Sequence, residues 1–126
     1  MKVYCGTDII EVERVKNAIL STPKFKEKIF TSNEIAYAES KCDVTKYQHY
    51  AGRFAAKEAI YKSLSGVYPH IQLREIEIVN DTDNLNRPKV IINNNFFINF
   101  HQKVEIDVSI SHIKDYAISN ATASFL

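Results

Sequence analysis

A chain of 126 residues, 45% hydrophobic and 25% charged, has the make-up of one folded domain spanning 1–126 and excludes a disordered or low-complexity protein. Its net charge of +1 argues against nucleic acid as a partner, because such binders carry a strong basic excess. No apolar run approaches the roughly 20 residues of a membrane-spanning helix, and MKVYCGTD lacks a signal-peptide pattern, so a cytoplasmic protein without membrane association is expected.

The first stretch, KVYCGTDI, alternates and is rich in strand formers, so it predicts a strand. EVERVKNAILST follows with Val12, Val15, Ile19 and Leu20 at helical spacing, and Pro23 closes that helix or opens a further turn. Cys5 and Cys42 have no CxxC spacing; two thiols make neither a disulfide framework nor a zinc site and read as reduced. Thr31 to Glu34, TSNE, is a capping box that starts a short helix running towards Ser40. A long helix is expected from about Thr45 to Leu64, with Gly66 as its stop. Beyond Pro69, LREIEIVN alternates, DTDNLNRP is a turn cluster and KVIINN is a strand. NFFINFHQ fits a helical turn or a bend. EIDVSISH and YAISNATASFL complete the strands. Helices come early and most strands late, which predicts an α+β fold: a largely antiparallel sheet wrapped around a long central helix.

That helix carries four charges, Arg53, Lys57, Glu58 and Lys62, among Ala, Phe, Tyr, Ile and Leu. On a helical wheel Glu58 falls between Phe54 and Ala51, inside the apolar sector, and Lys62 between Ala51 and Ala55. Glu58 and Lys62 also have the i,i+4 spacing of an ordinary surface pair worth a few tenths of a kcal/mol. A helix apolar or small nearly all round is central, however, and a carboxylate there must be paired or bind a metal. Asp8, at the end of the first strand and on one face with Tyr4 and Gly6, is a candidate second carboxylate. Two carboxylates from separate elements, beside lysines, suit a Mg²⁺ carrying a phosphate. Ser109, Ser111 and His112 close the strand VSISH, where the histidine reads as a surface residue or a phosphate contact.

Together GTDIIEVERV, FTSNEIAYAES, YAGRFAAKEAIYKSL and VSISHIKDYA resemble the small bacterial holo-(acyl-carrier-protein) synthase class of 4′-phosphopantetheinyl transferases, in order and spacing over almost the whole chain. GRFAAKEA with an upstream G-x-D-I is the specific part. The resemblance implies Mg²⁺-dependent transfer of 4′-phosphopantetheine from coenzyme A to a serine of an apo acyl carrier protein, with release of 3′,5′-ADP, in support of fatty acid biosynthesis. By motif position it implies Asp8 and Glu58 as metal ligands and Lys62 on the pyrophosphate, these three being the catalytic set. It places Arg53, Lys57 and His112 on coenzyme A phosphates, His112 near the 3′-phosphate. Gly66 and Pro88 sit on the loops that shape the coenzyme A site. Arg14 docks the carrier protein from the first helix, away from the phosphate-facing motifs. Lys24 belongs to a basic set that steers this acidic partner, although Glu11, Glu13 and Glu27 balance part of that charge. Homotrimers with coenzyme A between subunits are implied as well, and the small alternating residues of the last strand allow close approach.

The serine needs a base, which a carboxylate or a metal-bound water supplies. The chain departs from the family pattern at Leu85 and Asn86, where Asn-Gly is usual, at Ile113, where a hydroxyl or carboxylate is usual, and after the long helix, where only Gly66 remains of a Gly-rich turn. A module that grips coenzyme A or a carrier protein without turnover, and a structural trimer with incidental charges, are the competing readings. Retention of Asp8, Glu58 and Lys62 together favours the enzyme.

Overall fold

The computed structural model describes residues 1–126. Strand β1 (Lys2–Glu11) runs directly into helix α1 (Val12–Ser21). Helices α2 (Phe25–Ile29), α3 (Ser32–Glu39) and the long α4 (Asp43–Leu64) follow. A 3-10 turn at Leu73–Glu75 leads into the hairpin β2 (Ile76–Asp81) and β3 (Arg87–Ile92). Then come α5 (Asn95–Ile98), β4 (Val104–His112) and β5 (Tyr116–Phe125). The fold is α+β and antiparallel, as expected, but the strands form two sheets. One has the order β1-β5-β4, so the first and last strands pair; the other is the β2-β3 hairpin. No helix is long and apolar enough to cross a membrane.

Small residues let α4 lie close against the larger sheet. Ala51, Ala55 and Ala59, four residues apart, are wholly buried, as are Ala117, Ser119, Ala121 and Ala123 on the inner face of β5. Those β5 positions, expected to admit another subunit, are therefore used within the chain against α4. The closest approach is at Gly6. A Cβ there would lie 1.8 Å from the Ala59 carbonyl oxygen, so only glycine fits. A second core joins Val12 and Val15 of α1 to Phe30, Ala38 and Tyr50. Leu20, expected on the buried stripe of α1, is 64% exposed, because the helix ends one residue later and turns away. Helix α2 was not foreseen: five residues, FKEKI, are too few to show a period.

The capping box forms as read. Thr31 accepts from the Glu34 N–H at 3.3 Å, and Glu34 Oε1 accepts from the Thr31 N–H at 2.8 Å. Glu34 then does more. Its Oε2 accepts from Ile78 N–H at 2.8 Å, and its Oε1 meets Lys57 Nζ at 2.6 Å. Lys57 Nζ also donates to Leu73 O at 3.1 Å and Ile76 O at 2.6 Å. Three acceptors use all three N–H donors of an ammonium. Burial pushes Lys57 below its ordinary value and the Glu34 carboxylate opposes that. The pair ties α3, α4, the 3-10 turn and β2 together. Lys57 has no exposed surface, so the expected role on a coenzyme A phosphate is corrected to a structural one.

Helix α4 ends at Leu64, as expected with Gly66 beyond it, although Gly66 does not have positive φ. Its end is closed by Val67 and Tyr68 N–H groups that both donate to Leu64 O at 2.9 Å. In the β2-β3 turn Leu85 (φ 57°) and Asn86 (φ 59°) are both left-handed, closed by Arg87 N–H to Asn84 O at 3.1 Å. The backbone thus tolerates the departure from Asn-Gly, at a cost of roughly 1 kcal/mol for the leucine.

Two substitutions test these contacts. Gly6→Ala should cost about 2–4 kcal/mol in denaturant titration and lower turnover with it, since β1 must lift off α4; a wild-type midpoint would contradict the close approach. Lys57→Met should cost about 3–5 kcal/mol while the folded fraction keeps its KM for coenzyme A. Wild-type stability with a raised KM would return Lys57 to a phosphate.

Candidate active site

Asp8 and Glu58 converge, although they lie 50 residues apart in sequence. The Gly6 contact seats β1 on α4, and Asp8, two residues on, points the same way as Gly6. Glu58 precedes Ala59, the other half of that contact. Both carboxylates line one cavity of about 370 Å³, together with Arg14, Val15, Phe25 and Phe54. Phe25 stacks on Phe54 at 6.3 Å and walls one side.

Lys62, one turn beyond Glu58, turns to the strand. Its Nζ donates to Thr7 O at 2.8 Å and pairs with Asp8 Oδ1 at 3.4 Å. The i,i+4 partner read from spacing, Glu58, is thus not its ion-pair partner. Glu58 is left without a hydrogen bond or salt bridge. Burial first, and the Asp8 charge second, raise its carboxyl above the ordinary value, with Lys62 opposing. Two carboxylates facing one cavity, one with no partner, fit a Mg²⁺ that takes one or two protein carboxylates and fills its other positions from phosphate and water.

Arg14 was expected away from this region. It stands instead on the wall of the same cavity, exposed, because α1 follows β1 without a loop. Lys24 is exposed next to the cavity-lining Phe25 and holds a left-handed φ of 63° at the start of α2. Gly66 lies near Tyr4 of β1, beyond the Lys62 end of α4.

Arg53 and His112 are not part of this cluster. Arg53 precedes Glu58 by five residues, about 140° round the helix. It is buried, stacks 4.3 Å from the Tyr37 ring centre and donates to Asn80 Oδ1 at 3.1 Å. Asn80 sits opposite Pro88 in the β2-β3 ladder, so Pro88 belongs to this side. His112, exposed at the end of β4, has its ring 5.8 Å from that of His49. The chain therefore holds two clusters on different sides of α4: Asp8, Glu58, Lys62 and Arg14 on one, Arg53, His112 and Pro88 on the other. The sequence shows Glu34 only as a helix cap and does not single out His49 or Tyr37. Signals for two of them were still present: a capping-box glutamate has a free second oxygen, and His49 precedes Arg53 by one turn.

Residues 4–121 match the model of the 4′-phosphopantetheinyl transferase superfamily. The chain is 44% identical to the holo-(acyl-carrier-protein) synthase of Ruminiclostridium cellulolyticum, over 98% of this chain and 93% of that protein. A solved holo-(acyl-carrier-protein) synthase from Bacillus anthracis, in complex with CoA (3′,5′-ADP), is 31% identical with a TM-score of 0.75, covering 95% of this chain and 94% of that one. The Chronobacterium ammoniagenes ACPS-CoA complex, at 23% identity and TM-score 0.84 over 100% and 99% of the two chains, supports the fold alone. With its own motifs in place over nearly its full length, this chain belongs to the 4′-phosphopantetheinyl transferase superfamily.

Proposed function

We propose that this chain is a holo-(acyl-carrier-protein) synthase: a single transferase domain that moves 4′-phosphopantetheine from coenzyme A to a serine of an acyl carrier protein in the cytoplasm, supplying fatty acid synthesis. The observation that carries it is the convergence of Asp8 and Glu58 on one cavity, with Lys62 bonded to Asp8 and Arg14 on the wall. Asp8 and Glu58 would hold a Mg²⁺, which when bound supplies positive charge to the pyrophosphate. The serine proton needs an acceptor, and the carboxylates that line the cavity are the groups placed to take it. The serine oxygen then bonds to the phosphorus bearing pantetheine, and the bond to the second phosphate breaks. Lys62, half-exposed, stabilises the charge that gathers on the departing 3′,5′-ADP. Arg14, at the cavity wall, meets the carrier protein where its serine must enter, and Lys24 beside Phe25 extends the same basic rim.

The working form is a homotrimer with coenzyme A shared between chains. Two features support this. One is the pair of clusters on different sides of α4, which a second copy of the chain would bring to one ligand. The other is the outer face of β1 and β5, where Val3, Ile9 and Ile118 are 47%, 63% and 43% exposed and Ile9 pairs with Ile118.

The direct test is incubation with coenzyme A, Mg²⁺ and an apo carrier protein, where the carrier should gain the mass of one phosphopantetheine; a module that only grips coenzyme A gives no gain. Asp8→Asn and Glu58→Gln should each lower turnover at limiting Mg²⁺ by about a hundredfold or more with the fold retained by circular dichroism. Wild-type turnover in either would remove the metal assignment. Mixed trimers of Asp8→Ala chains with chains altered at His112 and Pro88 should regain activity that neither parent has. No recovery in isolated mixed trimers, or a monomer by light scattering, would place each site within one chain.

A further inference from the structure

Arg53 is buried to nine-tenths, yet its Nε has no hydrogen-bond partner. Unsatisfied buried donors are rare and each calls for a cause. Around it lies a ladder of rings and cations that the transfer chemistry described above does not use. The guanidinium covers Tyr37, and Lys41 Nζ stands 4.6 Å from the centre of the same ring. His49, one turn before Arg53, meets Tyr37 edge-on at 5.2 Å and His112 at 5.8 Å. The groups that face His49 are thus Tyr37 of α3, Lys41 of the turn after it, Arg53 of α4 and His112 of β4. The charges acting on it are all positive. Burial first, then Arg53, His112 and Lys41, lower the imidazole to about 4, so it is neutral at neutral pH. Glu34 offsets part of the Arg53 charge, but the charges acting on His49 are all positive and Arg53 keeps an unmet donor, which together form an incomplete anion site.

We propose that His49 is a further binding residue: with Arg53 and His112 it contacts a phosphate monoester, the 3′-phosphate of coenzyme A, and takes up a proton as that phosphate binds. The inference rests on the proposed use of coenzyme A. A phosphate dianion beside His49 cancels the surrounding positive charge and attracts the imidazolium, which together offset the burial and return the ring towards the ordinary value of about 6.5. The imidazolium then has two donors where the neutral ring has one. Linkage fixes the sign: the free state releases its proton near pH 4 and the bound state near 6.5, so the phosphate binds more tightly as pH falls between them. From pH 7.5 to 5.5 this gain is about tenfold relative to a chain that cannot titrate at position 49. Protonation of the phosphate itself acts the other way, but equally in both chains.

The test is calorimetry with coenzyme A and with dephospho-coenzyme A, which lacks the 3′-phosphate. Wild type, His49→Gln, Arg53→Gln and His112→Gln are compared at pH 7.5 and 5.5, in two buffers of different ionisation heat. Wild type should take up protons near pH 5.5 with coenzyme A and not with the dephospho form. The ratio of wild-type to His49→Gln affinity for coenzyme A should rise about tenfold on acidification and stay flat for dephospho-coenzyme A. Arg53→Gln and His112→Gln should lose the preference for coenzyme A at both pH values. If those two lose it while His49→Gln follows wild type throughout, the phosphate site stands and His49 is not in it. If wild type itself binds the two ligands equally, the phosphate reading falls and the proposal with it. Should His49→Gln fail to fold, the His49 ring proton in the NMR spectrum of wild type decides: an unchanged titration on adding coenzyme A overturns the proposal.

Discussion

The absence of one side chain at Gly6 sets where Asp8 and Glu58 meet. With no Cβ, β1 can rest on the backbone of α4 at Ala59, closer than any other residue permits. Everything in the candidate cavity is measured from that contact. Asp8 follows Gly6 by one strand repeat and Glu58 precedes Ala59 by one helical step. Lys62 lies three residues further, within reach of Asp8 and the Thr7 carbonyl. Because β1 passes straight into α1, the same contact also brings Arg14 to the cavity wall. Period two along a strand and 3.6 along a helix do the rest.

The charges of α4 divide by how much water they keep. Lys57 keeps none, and its desolvation is offset by one carboxylate and two carbonyls that saturate it. Such a group has no capacity left for a ligand. Glu58 is half-buried and unsaturated, so its carboxyl holds its proton more tightly than usual. Lys62 keeps half its surface and a strand partner. Arg53 is buried but not saturated. Burial alone therefore does not separate structural charges from functional ones; unmet hydrogen-bonding capacity does.

Much of this was legible in the sequence, and the limits have physical causes. Alternation located β2, β4 and β5, and the capping box located α3, because each is a local pattern with its own period or hydrogen bond. The wheel put Glu58 in the apolar sector correctly. It paired Lys62 with the wrong carboxylate, because a helix shows which way a side chain leaves and not what stands opposite. Lys57 misled for the same reason: its partner, Glu34, sits 23 residues away behind a cap that looked already complete. The small residues of β5 announced a close neighbour without saying whose, and that neighbour is α4 of the same chain. Leu20 failed where α1 simply ends.

A single central helix also limits what one chain can enclose. With the sheet against its Ala51–Ala55–Ala59 face and α3 with the hairpin against Lys57, α4 separates the carboxylate cavity from the Arg53–His112 cluster by its own thickness, about 10 Å with side chains. Neither cluster can rotate towards the other, because Gly6 locks one side and the Glu34–Lys57 pair locks the other. In the proposed trimer, a ligand with a metal-binding pyrophosphate and a separate phosphate monoester would meet its two recognition sets on two copies of the chain, each half-site held rigid by its own contacts.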